Sequence, residues 1–368
     1  MRTFNRGLAL GEGFCNREIE LKQLSHNLNN FTHTVLISPR RYGKTSLAIK
    51  AIEQEKQLYA HIDLFMKYNK DEIIYSFYEQ ISGLISCLIK PTQKALKIIG
   101  SFLKHIKIAL IWGKTGVEFS LTPQNEKKQS LKLLLEGLDQ FLIKQKKTVI
   151  LFVDEMQTIV DSDIRDEFEA DLRFIAQKTQ NITFIFSGSS RHLLSKMFDD
   201  RSRPFYKLCH QMHVKKIGAV HYHRHVNKFA FKKWRNKINS DVLAMITNYT
   251  ACHPYYFNIL CDKLFQLPDL PDESAVTRCW QEVCNEEQSS VGKDLEFLSP
   301  KQRQLLAAIA RNPELREPTA KIFVNTVNLT AKGILDSLKI LYQHDLIEKD
   351  ETNRIIVIDP VLAYWAQA

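Results

Sequence analysis

Several features are missing from this 368-residue sequence, and each absence removes a class of protein. No run approaches the ~20 apolar residues that a membrane-spanning helix needs. The opening stretch Met1-Arg-Thr-Phe-Asn-Arg-Gly lacks the apolar core of a secretory signal. No two of the seven cysteines form Cys-x-x-Cys, and their number is odd, so they read as reduced core thiols rather than a disulfide framework. There is no internal repeat. With 44% hydrophobic and 25% charged residues, the composition is that of a globular protein, not a disordered or collagen-like chain. The expectation is a cytoplasmic protein of two or three domains, with no membrane partner.

The formal charge of +10 suggests an acidic partner, and its distribution narrows the choice. Between Arg201 and Ser240 there is no Asp or Glu, but there are eleven Lys or Arg. The rest of the chain carries 40 basic and 41 acidic residues and is nearly neutral. The same segment holds His210, His213, His221, His223 and His225, so mild acid makes it more positive.

Continuously apolar segments alternate with helical patterns through about residue 215. Strands are expected at Thr34–Ser38, Leu58–Leu64, Gly116–Thr122, Thr148–Asp154 and Ile182–Ser187. Helices are expected at 44–56, 70–89, 92–111, 127–146 and 163–178. Such alternation predicts a parallel sheet covered on both faces. From about 221 to 290 helical patterns dominate, broken by Pro268 and Pro271. Ser299-Pro300 then opens a helix, Thr330 caps another, and Leu346–Ile358 reads as a hairpin, which together make a winged-helix pattern. The resulting division is a core at 1–217, a helical lid at 218–292 and a winged helix at 293–368.

The first strand runs into Ser38-Pro-Arg-Arg-Tyr-Gly43-Lys44-Thr45-Ser46 and then a helix. This fits the phosphate-loop pattern G-x-x-x-x-G-K-[ST], with Ser38 in place of the first glycine. Backbone N–H groups at a helix start face phosphate oxygens, aided by the helix dipole. Gly43 allows close approach, Lys44 reaches the β- and γ-phosphates, and Thr45 offers a hydroxyl to Mg²⁺. Two other Gly-Lys pairs lack this context. Gly113-Lys-Thr115 leads into a strand, and Gly292-Lys-Asp has no hydroxyl residue.

Val149–Asp154 is an apolar strand ending in adjacent acids, which places Asp154 and Glu155 at the ligand edge of an α/β sheet. In that context Asp154 is a candidate Mg²⁺ ligand beside Thr45, and Glu155 a candidate general base for water. The strand Ile182–Ser187 ends in Ser187-Gly-Ser-Ser190. Its polar end either touches the γ-phosphate or the attacking water through Ser187, or simply caps the next helix through Ser190.

Taken in order along the chain, these motifs resemble the archaeal-type ATPases of the STAND branch of AAA+ P-loop proteins, over nearly the full length. Phe14-Cys-Asn-Arg17-Glu18-Ile-Glu-Leu21 is similar to a family box that lies against adenine. Pro39-Arg40-Arg41-Tyr42-Gly-Lys-Thr-Ser46 resembles its phosphate loop, Val153-Asp-Glu-Met-Gln157 its acidic strand, and Phe186–Ser190 its sensor strand. His253-Pro254-Tyr-Tyr-Phe257 looks like the lid motif that contacts nucleotide, with Cys252 where glycine is usual. Asp359–Trp365 is similar to the family's winged-helix ending. The resemblance implies ATP or ADP with Mg²⁺ as cofactors, with Arg17, the loop residues, His253 and Pro254 contacting nucleotide. It also implies an arginine that senses the γ-phosphate. The usual Tyr-Gly-Arg reads Phe205-Tyr206-Lys207 here, which leaves Arg203, Arg201 or Lys207 for that role.

Three further constellations carry alternatives. The five histidines lack the cysteine or carboxylate pair that would complete a metal site. The 221–237 helix mixes Lys and Arg with Tyr222, Phe229, Phe231 and Trp234, which suits either nucleic acid or an amphipathic helix with buried aromatics. Residues 294–368, in the winged helix, have nine basic and ten acidic residues, which favours packing or a protein partner over DNA. The expected activity is an ATP-hydrolysing nucleotide switch, able to form oligomers and to meet a protein partner. The alternatives are a DNA-binding regulator acting through residues 201–240, or a nucleotide-binding scaffold with little hydrolysis.

Overall fold

The computed structural model describes residue 4 and residues 6–114, 116–124, 130–160, 162 and 164–367. Contacts divide the chain into two compact units: Glu18–Ser38 with Lys44–Val214, and Met1–Arg17 with Pro39–Gly43 and Lys215–Ala368.

The unit built on Glu18–Ser38 and Lys44–Val214 is α/β. It contains α1 (Glu18–Asn29), β1 (Thr34–Ile37), α2 (Lys44–Gln54), β2 (Leu58–Asp63), α3 (Lys70–Leu88) and α4 (Gln93–Phe102). A hairpin, β3 (Ile106–Gly113) and β4 (Gly116–Pro123), follows. Then come α5 (Leu131–Gln145), β5 (Val149–Asp154), α6 (Arg165–Lys178), β6 (Ile182–Gly188), α7 (Arg191–Asp199) and β7 (His210–His213). The main sheet is parallel throughout, in the order β2-β5-β6-β1-β7. β5 and β6 are buried along their whole length, as central parallel strands covered on both faces must be. Because the strands are parallel, their C-terminal ends share one edge. There β6 lies between the phosphate-loop strand β1 and the acidic strand β5.

Two elements differ from expectation. The helix expected over 92–111 ends at Phe102, and Ile106–Gly113 is a strand. Ile106, Ile108 and Leu110 alternate inward, and β4 supplies the partner that settles the period in favour of a strand. Ser86 and Ser82 of α3 accept the N–H groups of Phe119 and Leu121 at 3.0 and 3.1 Å, anchoring the hairpin base. The second difference is β7, which is too short and polar to announce itself but pairs with β1 at the sheet edge. The helices expected at 127–146 and 163–178 begin at Leu131 and Arg165; residues 127–129 and 163, like Thr115, lie outside the described residues.

The other unit is mainly helical. It contains α8 (Ala219–Trp234), α9 (Ser240–Tyr249), α10 (Pro254–Leu264), α11 (Glu273–Glu296), α12 (Pro300–Arg311), α13 (Lys321–Val327) and α14 (Ala331–Gln343). The hairpin β8 (Ile347–Lys349) and β9 (Ile355–Val357) leads into α15 (Pro360–Gln367). Ser299 and Gln302 form a capping box at α12, Pro300 holds the first helical position, and Thr330 caps α14. Phe4 from the N-terminal segment packs among His225, Phe229, Phe257 and Phe265. Asp359 caps α15 through the N–H groups of Val361 and Leu362 and accepts the Tyr256 hydroxyl at 2.5 Å. Trp365 donates to the Cys284 carbonyl at 3.1 Å. Among the described residues no helix is long and apolar enough to cross a membrane.

Candidate phosphate and nucleotide site

The loop after β1 explains its own departure from the glycine pattern. Gly43 has φ +87°, a conformation that side-chain-bearing residues rarely adopt, so glycine is required there. Ser38 is not among the positive-φ residues, so its backbone needs no glycine. Instead its carbonyl and hydroxyl accept the Lys44 ammonium at 3.0 and 3.4 Å, and both residues are buried. α2 starts at Lys44, so the first N–H groups of the helix open onto this turn.

At the same sheet edge, three elements converge on one carboxylate. Thr45 at the start of α2 donates its hydroxyl to Asp154 Oδ2 at 2.7 Å, and Ser187 at the end of β6 donates to Asp154 Oδ1. His61 of β2 stacks on Phe152, and its Nε2 stands 3.7 Å from Asp154 Oδ2. Burial pushes the Asp154 carboxyl up. His61, Ser187 and Thr45, with the charge of Lys44, outweigh that and hold it down at about 2. Asp154 is therefore a fixed anion.

Glu155 has φ 57°, an uncommon backbone state for a non-glycine residue, which turns it away from the strand. Gln157 and Ser189 both donate to its Oε2, the latter at 2.9 Å. Gln157 also accepts the Ser189 N–H at 3.1 Å. This contact depends on Gly188, where an added Cβ would meet Gln157 Oε1 at 2.3 Å. Gln157, Ser189 and His61 had no assigned role from sequence. Gln157 lies two residues past Glu155, but the contact depends on β5 and β6 being neighbours. Ser190 stands at the N-cap position of α7 without a side-chain cap hydrogen bond, whereas Ser187 reaches Asp154.

The remaining nucleotide candidates gather within the helical unit. Arg17 is buried and donates to the Tyr42 carbonyl at 3.0 Å. The Tyr42 ring meets His253 edge-on, with centroids 5.0 Å apart. His253 is buried next to Pro254 at the start of α10, and burial, with the charges of Lys216 and Arg41, lowers it to about 3. Its Nδ1 has no hydrogen-bond partner among the described residues. Cys252 has φ 54°, which explains why glycine suits that position. Arg41 lies over the Tyr255 ring at 3.9 Å and 3.5 Å from Glu287, while Arg40 is exposed.

Arg203 is placed elsewhere. Its Nε donates to Glu169 Oε2 at 3.2 Å and its Nη2 to Oε1, and Glu169 of α6 is fully buried. Among the described residues this ion pair engages Arg203, rather than any member of the Asp154 cluster. Much of the basic segment is likewise answered by acids from outside it. Lys215 pairs with Glu351, Lys216 with Glu348, and Lys228 and Lys232 with Glu12. Lys233 donates to the carbonyls of Phe265 and Leu267, and Trp234 to that of Pro268. Tyr222 and Phe229 are core residues. The histidines are dispersed too: His210 contacts Asn27, His223 contacts Thr247, and the half-buried His225 meets the rings of Phe4 and Phe229 edge-on.

Residues 14–259 match the family described as an ATPase domain predominantly from Archaea, and residues 293–368 match a probable winged helix domain. A Walker-type ATPase of Pyrococcus abyssi shares the fold over 100% of both chains, with TM-score 0.73 and 20% identity. The ORC2 protein of Aeropyrum pernix, in complexes with ADPNP and ADP, shares it over 99% of this chain and 95% of its own, with TM-score 0.62 and 16% identity. No curated protein matches the sequence.

Proposed function

Since the chain belongs to the family of ATPase domains found predominantly in Archaea, we propose that it is a cytoplasmic nucleotide switch that binds ATP with Mg²⁺ and hydrolyses it to ADP and phosphate. The observation that carries this reading is the meeting of Thr45, Asp154 and Ser187 beside the phosphate loop. A hydroxyl and an ionised carboxylate are the hard oxygen donors that Mg²⁺ accepts, usually one or two from protein with phosphates and water completing the set. When bound, the ion neutralises charge on the β- and γ-phosphates.

In this reading Lys44 exchanges the Ser38 carbonyl for phosphate oxygens, and the N–H groups at the start of α2 complete the cradle. Ser187 orients Asp154 and would offer its hydroxyl to the terminal phosphate. Glu155 accepts the proton of the attacking water once it leaves Gln157 and Ser189. Arg17 holds the Tyr42 carbonyl and so shapes the loop, and the open Nδ1 of His253 is available to nucleotide. We assign the core to residues 1–217, the lid to 218–292 and the winged helix to 293–368, the last two responding to nucleotide state.

Two variants test the proposal. Lys44→Ala is expected to abolish ATP binding by titration calorimetry, and undiminished affinity would end the assignment. Glu155→Gln is expected to bind ATP and release no phosphate in a single-turnover assay; retained release would exclude Glu155 as the base.

A further inference from the structure

A second part of the chain is free of acidic residues, and unlike residues 201–240 its charges are unanswered. Between Glu79 and Glu118 there is no Asp or Glu, but there are six lysines: Lys90, Lys94, Lys97, Lys104, Lys107 and Lys114. All six are exposed, and none forms an ion pair among the described residues. They lie along α4 and the β3–β4 hairpin and the turns flanking them.

The hairpin is built to project. At its base Ile108, Leu110, Phe119 and Leu121 pack into the core, and Ser82 and Ser86 hold its backbone. At its far end Trp112 pairs across the strands with Val117 and is 85% exposed, with Ile111 also exposed beside it. An exposed indole on the same hairpin as the unpaired Lys107 and Lys114 matches the requirements of a flexible polyanion with planar groups. Lysines neutralise phosphates and release counterions, and an aromatic face stacks on a base. We infer that α4 and this hairpin bind single-stranded nucleic acid, with Trp112 stacked on a base and the lysines on the backbone. An anionic bilayer fits less well. Lys114 directly follows β3 at the turn, so insertion would carry a cation deep into the lipid. This site is independent of nucleotide hydrolysis.

The test is fluorescence anisotropy of a labelled oligothymidylate, about 20 nucleotides long, titrated with the full chain at increasing KCl. Binding is expected, with log K falling against log salt by about 0.7 per neutralised phosphate, or up to about 4 for six lysines. Trp112→Ala should weaken it roughly 5- to 150-fold, the range for losing one base stack. Lys104→Glu with Lys107→Glu and Lys114→Glu should flatten the salt slope by about 2. Lys44→Ala, and Lys232→Glu with Arg235→Glu, should leave binding intact. The altered hairpin side chains are exposed, and unchanged melting curves would verify folding. The inference is overturned by no binding at low salt, or by full binding in the Trp112→Ala variant. It is equally overturned by loss of binding in the Lys232/Arg235 variant, or by tighter binding to polyglutamate or to phosphatidylglycerol-containing vesicles.

Discussion

Arg203→Ala separates a structural arginine from a phosphate-sensing one. Glu169 has no solvent exposure, and Arg203 is its two-point partner. Truncating the arginine leaves a buried carboxylate alone, which typically costs about 3–5 kcal/mol. For a unit of this size that corresponds to a fall in melting temperature of about 6–20 °C. The dependence on pH has a definite sign. Burial already raises the Glu169 carboxyl above its ordinary value, with Arg203 opposing. Its raised value means that the group favours folding below the unfolded pKa and loses that contribution as pH rises through the folded one. Without Arg203 the carboxyl rises further, so the gap to wild type should be wider at pH 8 than at pH 5. The double variant Arg203→Met with Glu169→Leu removes both charges and should recover most of the loss. The assay is thermal unfolding by circular dichroism at both pH values, with ATP turnover measured well below the melt. An unchanged melt together with lost turnover would refute the structural role and return Arg203 to the phosphate.

Three more outcomes follow from single contacts. Ser38→Gly should leave nucleotide affinity within about twofold, because the position needs no positive φ, and should lower stability by about 0.5–1 kcal/mol through chain entropy; calorimetric titration and urea unfolding would check both. Gly188→Ala should displace the Gln157 amide from Ser189 and lower kcat severalfold with little change in KM, as read by steady-state phosphate release. Tyr256→Phe removes one donor from Asp359 and should cost about 1–3 kcal/mol in urea unfolding.

The candidate site was legible where the proposed chemistry depends on residue type in a fixed order. Gly43-Lys44-Thr45 and Asp154-Glu155 announce themselves because few other residues perform those tasks. Ser38 looked like a defect only because the sequence does not reveal φ. The partners of Glu155 were hidden because Gln157 and Ser189 meet only when β5 and β6 are adjacent. β7 was invisible because His-Gln-Met-His carries no apolar alternation, and its strand state comes from pairing with β1. Counting charge along residues 201–240 registered the lysines but not Glu12, Glu348 and Glu351, which reach them from distant parts of the chain.

The packing of Phe4, Arg41 and Tyr42 with residues beyond 215 has a consequence for biosynthesis. A ribosome delivers the N-terminal segment and the Pro39–Gly43 loop long before His253, Tyr255 and Phe257 exist. Residues 18–214 contain every strand of the parallel sheet and can condense while synthesis continues. The loop acquires its Tyr42 and Arg41 contacts only after α10 emerges, and the Asp359 link to Tyr256 closes later still. Final ordering of the phosphate-loop segment is thus deferred until most of the chain has been translated.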